Sequence, residues 1–243
     1  MWMILAAAAA LAALAHTAPA PFLFDWLSGR RAAWHMPKTQ PATVYLTYDD
    51  GPNPTTTGDL LDVLARGSAH ATFFLIDRHI TDDTAPLVRR MFDEGHDVAV
   101  HSHTRAWMLM SSDEFAATVT DVADHIERVA GHRPCAAFRP HAGWRTWTMY
   151  KGLKKVDYRM VGWSWMLWDF NWFRKRTADA AVKRIGGRAG NGDIVVMHDG
   201  DESAPLADQR HTVDATARLI PLFRSRNFRF GTICESVVAS DSN

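Results

Sequence analysis

Val44-Tyr45-Leu46-Thr47-Tyr48 runs directly into Asp49-Asp50-Gly51-Pro52. The first five residues are rich in aromatic and β-branched side chains and read as a strand, which the Asp-Gly-Pro sequence then ends in a turn. The run has no strict polar–apolar alternation, so both faces of this strand are expected to be covered. Six more runs of similar kind follow, at Ala71–Ile76, Asp97–His101, Ala136–Arg139, Arg159–Trp165, Asp193–His198 and Phe228–Ile233. Helical periodicity fills the intervals. Ser111-Ser112-Asp113-Glu114 is a capping-box pattern; Phe115, Val119, Val122, Ile126 and Val129 follow at helical spacing, and Gly131 stops them. Leu60, Leu61 and Leu64 mark an earlier helix, Leu87, Val88, Met91 and Phe92 another, and Val213, Ile220 and Phe223 the last. Seven strands alternating with helices predict an α/β fold on a parallel sheet, either a closed barrel or an open doubly wound sheet.

In both architectures ligands meet the protein at the C-terminal ends of the strands. The first run ends in Asp49-Asp50-Gly51-Pro52, the third in His101-Ser102-His103-Thr104-Arg105 and the fourth in Arg139-Pro140-His141-Ala142-Gly143. Trp168-Asp169-Phe170 follows the fifth, and the sixth ends in His198-Asp199-Gly200. Five of seven strand ends thus carry ionisable or ligand-type residues, and solvated charges scattered at random would not select one end. Adjacent carboxylates repel unless a cation or proton separates them, so Asp49-Asp50 suggests one general base and one metal ligand; a plain Asp-Gly turn is the alternative. His101 is a partner ligand for Asp50, and His198 is a general acid for a leaving group. Each histidine taken alone reads equally as a packed strand-end residue.

Composition narrows the substrate. With 27 Lys plus Arg against 27 Asp plus Glu, the chain has no net field to attract nucleic acid or an anionic membrane. Ten Trp in 243 residues suit stacking on sugar rings as well as core packing. The length suits one domain with a full-sized core.

Thr47-Tyr48-Asp49-Asp50-Gly51-Pro52 resembles the T-F-D-D-G-P signature of the polysaccharide deacetylases, carbohydrate esterase family 4 with its NodB-homology domain. Gly95–Ser102 resembles the second motif, in which H-[ST]-x-x-H supplies two metal ligands. Phe138–Gly143 is similar to the R-P-P-Y-G motif, and Val196-Met197-His198-Asp199 to the closing L-x-H-D. The motifs stand in the family's order from residue 44 to about 234. The resemblance implies a distorted seven-stranded (β/α) barrel that removes N- or O-acetyl groups from carbohydrate. It implies that Asp49 is the base, that Asp50 and His101 hold a divalent metal, usually zinc, and that Arg139 orients Asp49. His198 would protonate the departing group, supported by Asp169. An acetylated glycan or a peptidoglycan-type polymer is the implied substrate, with no nucleic acid and no specific protein partner.

The chain departs from the pattern at Arg105, which stands where the motif has its second histidine and cannot ligate a metal. Three arrangements follow: His103 substitutes, His141 reaches in from the next strand end, or Arg105 itself fills the metal's place, pairing with Asp50 and polarising the substrate carbonyl without any metal. In the fourth motif Met166 replaces the first Asp, while Asp169 matches the second. Trp163, Trp165, Trp168 and Trp172 crowd this stretch; Trp168 is assigned to the sugar cleft, and Trp163 and Trp165 to the core. Against the deacetylase stand two alternatives, a catalytically silent sugar-binding barrel and an amidase on a non-sugar substrate.

The apolar run through Ala15 has the length of a signal-peptide core, with Ala13-Leu14-Ala15 as a small-x-small cleavage site, yet no Lys or Arg precedes it. Residues 1–15 are accordingly read as a signal peptide or anchor, 16–42 as a lead-in and 43–238 as the catalytic domain, with export expected. One Cys pair, Cys135 and Cys234, defines no disulfide framework; buried thiols are one reading, and whether the two pair is left open.

Overall fold

The computed structural model describes residues 2–15, 32–164, 169 and 176–234. Eight strands are seen among them: β1 (Ala32–Ala33), β2 (Thr43–Asp49), β3 (Thr72–Ile76), β4 (Asp97–His101), β5 (Ala137–Arg139), β6 (Arg159–Val161), β7 (Ile194–His198) and β8 (Arg229–Phe230). The helices are α1 (Trp2–Ala15), α2 (Thr57–Arg66), α3 (Ala85–Asp93), α4 (Ser112–Ala130), α5 (Trp147–Lys155), α6 (Ala178–Arg188) and α7 (Arg210–Ser225). The sheet runs β1-β6-β5-β4-β3-β2-β7, parallel throughout, with β8 paired to β2. It is curled into a half-barrel. No strand ladder joins its two ends; a single antiparallel bridge from His35 to Asp193 and the Ser164–Ile194 hydrogen bonds (2.9 and 3.0 Å) draw them together. The curl is therefore the distorted barrel rather than the open doubly wound alternative.

The period of two along each strand divides the core. Leu46, Tyr48, Phe73, Leu75, Val98, Val100, Phe138, Met160, Val195 and Met197 point outward and pack beneath the helices. Tyr45, Phe74, Ala99, Ala137, Val161, Ile194 and Val196 point inward and join Met36, Trp163 and Ile233 in a second, inner cluster. Both faces are buried, which is why the strands read as continuous apolar runs. By the same parity, Thr47, Asp49, His101, Arg139 and His198 all belong to the inward face.

The expected helices are present. Ser111 caps α4 with both arms of the capping box, and Gly131 closes it at φ 76°, a left-handed conformation that suits glycine. Two helices that no sequence signal singled out, α5 and α6, are each started by a threonine, Thr146 and Thr177, whose side chain accepts an N–H of the first turn.

Four readings are refined. The fifth run pairs only as far as Val161, because Arg139 takes the carbonyls of Val161 (3.4 Å) and Gly162 (2.8 Å) that a longer ladder would use. Trp34 lies so close over Gly162 that a Cβ there would overlap its ring. The last run shrinks to two residues against β2. The lead-in contributes to the fold, since Ala32–Ala33 pairs with β6 and Met36 is buried inside the barrel. Finally, of the two arrangements left open for Cys135 and Cys234 the structure has the pair: both are half-buried and joined as a disulfide across 99 residues, with Cα atoms 6.0 Å apart. No helix among the described residues is long and apolar enough to cross a membrane.

Candidate active site

A cavity of about 390 Å³ opens at the C-terminal ends of the strands, lined by Asp49, Asp50, His101, Arg105, His141 and His198 with neighbouring loop residues. Register brings these groups together: Asp49 stands opposite His198 across β2–β7, and His101 opposite Arg139 across β4–β5.

Arg139 organises the floor. Fully buried, it donates from Nη1 to Asp49 Oδ1 (2.6 Å) and Thr47 Oγ1 (2.7 Å), and from Nη2 to the Gly162 carbonyl (2.8 Å). Its guanidinium lies 3.9 Å above the Phe74 ring centre, a cation–π contact. The small inward side chains of Ala99 and Ala137 leave room for it. Burial pulls Arg139 below its ordinary pKa, against the opposing charge and hydrogen bond of Asp49. Asp49 is thereby held in one orientation at the cavity wall.

Asp50 follows in a left-handed conformation (φ 68°) that Asp tolerates better than most residues. Its carbonyl accepts from His79 Nδ1 (2.9 Å), and Gly200 packs so tightly beneath it that a Cβ there would lie 2.0 Å from the same oxygen. This backbone lock aims the Asp50 carboxylate at His101. The His101 Nδ1–H donates to the Arg139 carbonyl (2.8 Å), which directs Nε2 to Asp50 Oδ1 at 3.2 Å. Asp50 Oδ1 is buried and makes no hydrogen bond. Two ligand atoms held at one tetrahedral zinc lie about 3.3 Å apart, so a carboxylate oxygen and an imidazole nitrogen facing at 3.2 Å fit adjacent ligands of a divalent ion. Electrostatics agree that positive charge belongs here. Although burial opposes its ionised form, Asp50 is lowered to about 2 by His101, with His198 and His141 adding to the effect. His101 is raised by Asp49 and Asp50 in spite of its burial.

His198 closes the opposite wall. Its Nδ1 donates to Asp169 Oδ1 (2.7 Å), and its backbone N–H donates to Asp169 Oδ2 (2.9 Å). Burial disfavours the imidazolium, but Asp169, with Asp50 and Asp49 behind it, outweighs burial and raises the group to about 9. His198 is therefore biased toward its protonated form relative to a free imidazole. Asp169 in turn is lowered, because His198 and Arg176 outweigh its desolvation.

Residues 37–161, more than half of the chain, match the sequence profile of the polysaccharide deacetylases. The chain belongs to the polysaccharide deacetylase family. It is 30% identical to a peptidoglycan-N-acetylglucosamine deacetylase of Bacillus cereus, over 83% of this chain and 91% of the relative. It is 34% identical to a chitooligosaccharide deacetylase of Rhizobium leguminosarum bv. trifolii, over 76% and 87%. Among solved structures, a peptidoglycan N-acetylglucosamine deacetylase superposes with a TM-score of 0.74 at 25% identity, covering 88% of this chain and 95% of that one. A family 4 acetyl xylan esterase from Clostridium thermocellum, in complex with a cobalt ion, gives 0.70 at 29% identity, covering 81% and 91%. Polysaccharide deacetylases of this kind are hydrolases of carbon–nitrogen bonds other than peptide bonds, and the family is generally metal-dependent.

Within that family pattern, the structure gathers Asp49, Asp50, His101, Arg139, Asp169 and His198 at one cavity. Arg105 also lines it, but is exposed and lies against Trp144, 5.6 Å from the ring centre, making no ion pair with Asp50. His103 packs edge-on against Trp107 in a separate groove with Asp77, Arg78 and His125. Among the described residues, the only three His, Cys, Asp or Glu side chains with ligand atoms within 4.8 Å of one another are Asp97, Cys135 and Cys234, whose sulfurs are bonded to each other. Trp168, with Trp165, Met166, Phe170 and Trp172, lies outside the described residues, whereas Trp163 is buried in the inner cluster.

Sequence reasoning missed Thr47, Ser102, Gly200 and Glu202. Thr47 was detectable, being two residues before Asp49 and so on the same inward face. Gly200 also had a signal, an Asp-Gly at a strand end, though not a reason. Ser102 and Glu202 act through contacts that only folding creates: Ser102 Oγ accepts the His141 N–H (2.8 Å), and Glu202 pairs with the His141 ring.

Proposed function

We propose that this protein is an exported, metal-dependent deacetylase of N-acetylated glycans of the peptidoglycan or chitin-oligosaccharide type. The single observation that carries the reading is the juxtaposition of a buried Asp49–Arg139 pair, the facing Asp50 and His101 ligand atoms, and a His198 hydrogen-bonded to the buried Asp169, all at one cavity. Asp50 and His101 would hold the divalent ion, of which zinc fits their mixed N/O donor set. Such an ion, when bound, polarises the acetyl carbonyl and makes water a better nucleophile.

The chain's own residues supply the proton transfers. Asp49, with Oδ1 engaged by Arg139, is oriented to accept a proton from water as it attacks the acetyl carbon. Arg139 cannot be that base; it touches Asp49 and fixes its position. His198 donates its proton to the departing amine nitrogen, so that the bond breaks to give acetate and a free amine. Asp169 favours the charged form of His198 and, by accepting from Nδ1–H, leaves the Nε2 proton as the one to be donated. The balanced net charge of the chain is consistent with a largely neutral glycan, and the cavity volume lies in the range of small-molecule sites.

Export is supported by two further features. Helix α1, 14 residues of Ala, Leu and other apolar types, is about 21 Å long, short of the roughly 30 Å of a bilayer core. The Cys135–Cys234 disulfide belongs to an oxidising compartment.

The test is acetate release from N-acetylglucosamine oligomers and from peptidoglycan fragments, with acetylated xylan as the ester comparison. Wild type is expected to release acetate from an N-acetylated substrate, and Asp49→Ala and His198→Ala to release none above background. Acetate release that survives Asp49→Ala in pure protein overturns the proposal.

A further inference from the structure

We propose that His141, held by Glu202, is the third protein ligand of the metal site, in the place of the histidine that Arg105 has displaced. The proposal rests on the metal-assisted reading above and concerns only which side chains complete the site. His141 stands where the family's R-P-P-Y-G motif has a proline, so nothing in that motif assigns it a part. It lies two residues past Arg139, whose strand partner is His101, and Ser102 Oγ accepts its backbone N–H at 2.8 Å. The loop after β5 is thus tied to the residue next to the ligand His101. The ring lines the same cavity as Asp50 and His101. His141 Nδ1 contacts Glu202 Oε2 at 2.5 Å; a carboxylate only accepts, so Nδ1 carries the hydrogen and Nε2 the lone pair.

This is the arrangement that metal-binding histidines commonly show, one ring nitrogen given to a carboxylate or carbonyl and the other to the ion. His101 has it too, with the Arg139 carbonyl in the carboxylate's role. The competing side chains are placed otherwise: His103 faces the neighbouring groove, and Arg105 rests on Trp144 and has no lone pair to give. As placed, His141 does not complete a three-ligand cluster within 4.8 Å, so its ring must rotate toward Asp50 and His101 when an ion binds. The Glu202 side chain is 42% exposed on the loop after β7, free enough to follow and keep its hydrogen bond.

The experiment is titration of the metal-depleted full chain with zinc by calorimetry and with cobalt by visible absorption. Wild type, His141→Ala, Glu202→Gln, His103→Ala and Arg105→Ala would be compared, with thermal unfolding of each apo protein as the folding control. Wild type should bind one ion. His141→Ala should weaken binding by at least about tenfold and change the cobalt spectrum, and Glu202→Gln should weaken it by about tenfold, the usual effect of losing such a hydrogen-bonding partner. His103→Ala should leave affinity and the cobalt spectrum as in wild type, and Arg105→Ala, which takes a positive charge from the cavity wall, should not weaken binding. Unchanged affinity and spectrum in a folded His141→Ala protein overturns the proposal, as does a larger loss in His103→Ala. Because the readout is binding, an inactive protein that still binds metal through His141 would refute the deacetylase reading and leave this one standing.

Discussion

Replacing Asp169 with asparagine removes the charge that keeps His198 protonated while leaving a side chain of the same shape. In the wild type, Asp169 outweighs burial and brings His198 from its ordinary value of 6.5 to about 9. A displacement of that size corresponds to roughly 3 kcal/mol in favour of the imidazolium. With the charge gone, burial remains and only the weaker pull of Asp50 and Asp49 opposes it, so His198 should titrate well below its wild-type value, toward that of a free imidazole. At about pH 8 the protonated fraction then falls from roughly nine-tenths toward the about 3% of a free imidazole, up to about a thirtyfold loss of competent acid, whereas near pH 6 the two proteins differ little. The asparagine side chain can also turn its amide N–H₂ toward the His198 backbone N–H, so a pH-independent loss is expected on top.

The sign for stability follows the same pair. His198 is raised, so its contribution is complete below 6.5 and is lost as pH climbs through about 9; Asp169 is lowered, so its contribution is complete above 3.8 and is lost as pH falls through its reduced value. The pair therefore stabilises most between about pH 4 and 6.5, and Asp169→Asn should cost least outside the window from strong acid to about pH 9. The assay is the pH profile of kcat/KM for acetate release, from pH 5 to 10, for both proteins. An alkaline limb in Asp169→Asn that stays within half a unit of wild type would refute the assignment of His198 as the acid that Asp169 charges.

Three other outcomes are expected. Arg139→Met strands the buried Asp49 carboxylate and the Gly162 carbonyl, so denaturant unfolding should show a loss of about 3–5 kcal/mol, together with loss of activity. Gly200→Ala places a methyl group 2.0 Å from the Asp50 carbonyl; the loop must shift, and metal affinity should fall more than the melting temperature. A melting temperature that collapses while metal still binds tightly would count against that lock. Reduction of Cys135–Cys234 releases a 99-residue loop, and thermal unfolding with and without reductant should reveal a destabilisation of about 2–4 kcal/mol.

How far the sequence reached can be judged residue by residue. The strand cores, the capped helix α4 and the convergence of ionisable residues at strand ends were all legible, because periodicity and capping are local properties of the chain. So were Asp49, Asp50, His101, Arg139 and His198, since each sits at an end whose position the local pattern sets. The truncation of β6 was not legible: it depends on Arg139 reaching across the sheet for carbonyls more than twenty residues away. The pairing of Cys135 with Cys234 and the entry of Ala32–Ala33 into the sheet were hidden for the same reason.

The sequence by itself determined an α/β fold on a parallel sheet and the gathering of ionisable residues at its strand ends, because these follow from spacing along the chain, while the choice of barrel over open sheet waited for the curl of the sheet. Only the tertiary structure shows how differently His103, His141 and Arg105 are placed. Their sequence neighbourhoods are equally suitable, but the turn after His101 sends His103 into another groove and lets Arg105 lie on Trp144, while Ser102 and Glu202 bind His141 to the cavity. Which lone pairs face one another is decided by residues far apart in the chain, and no local pattern encodes that.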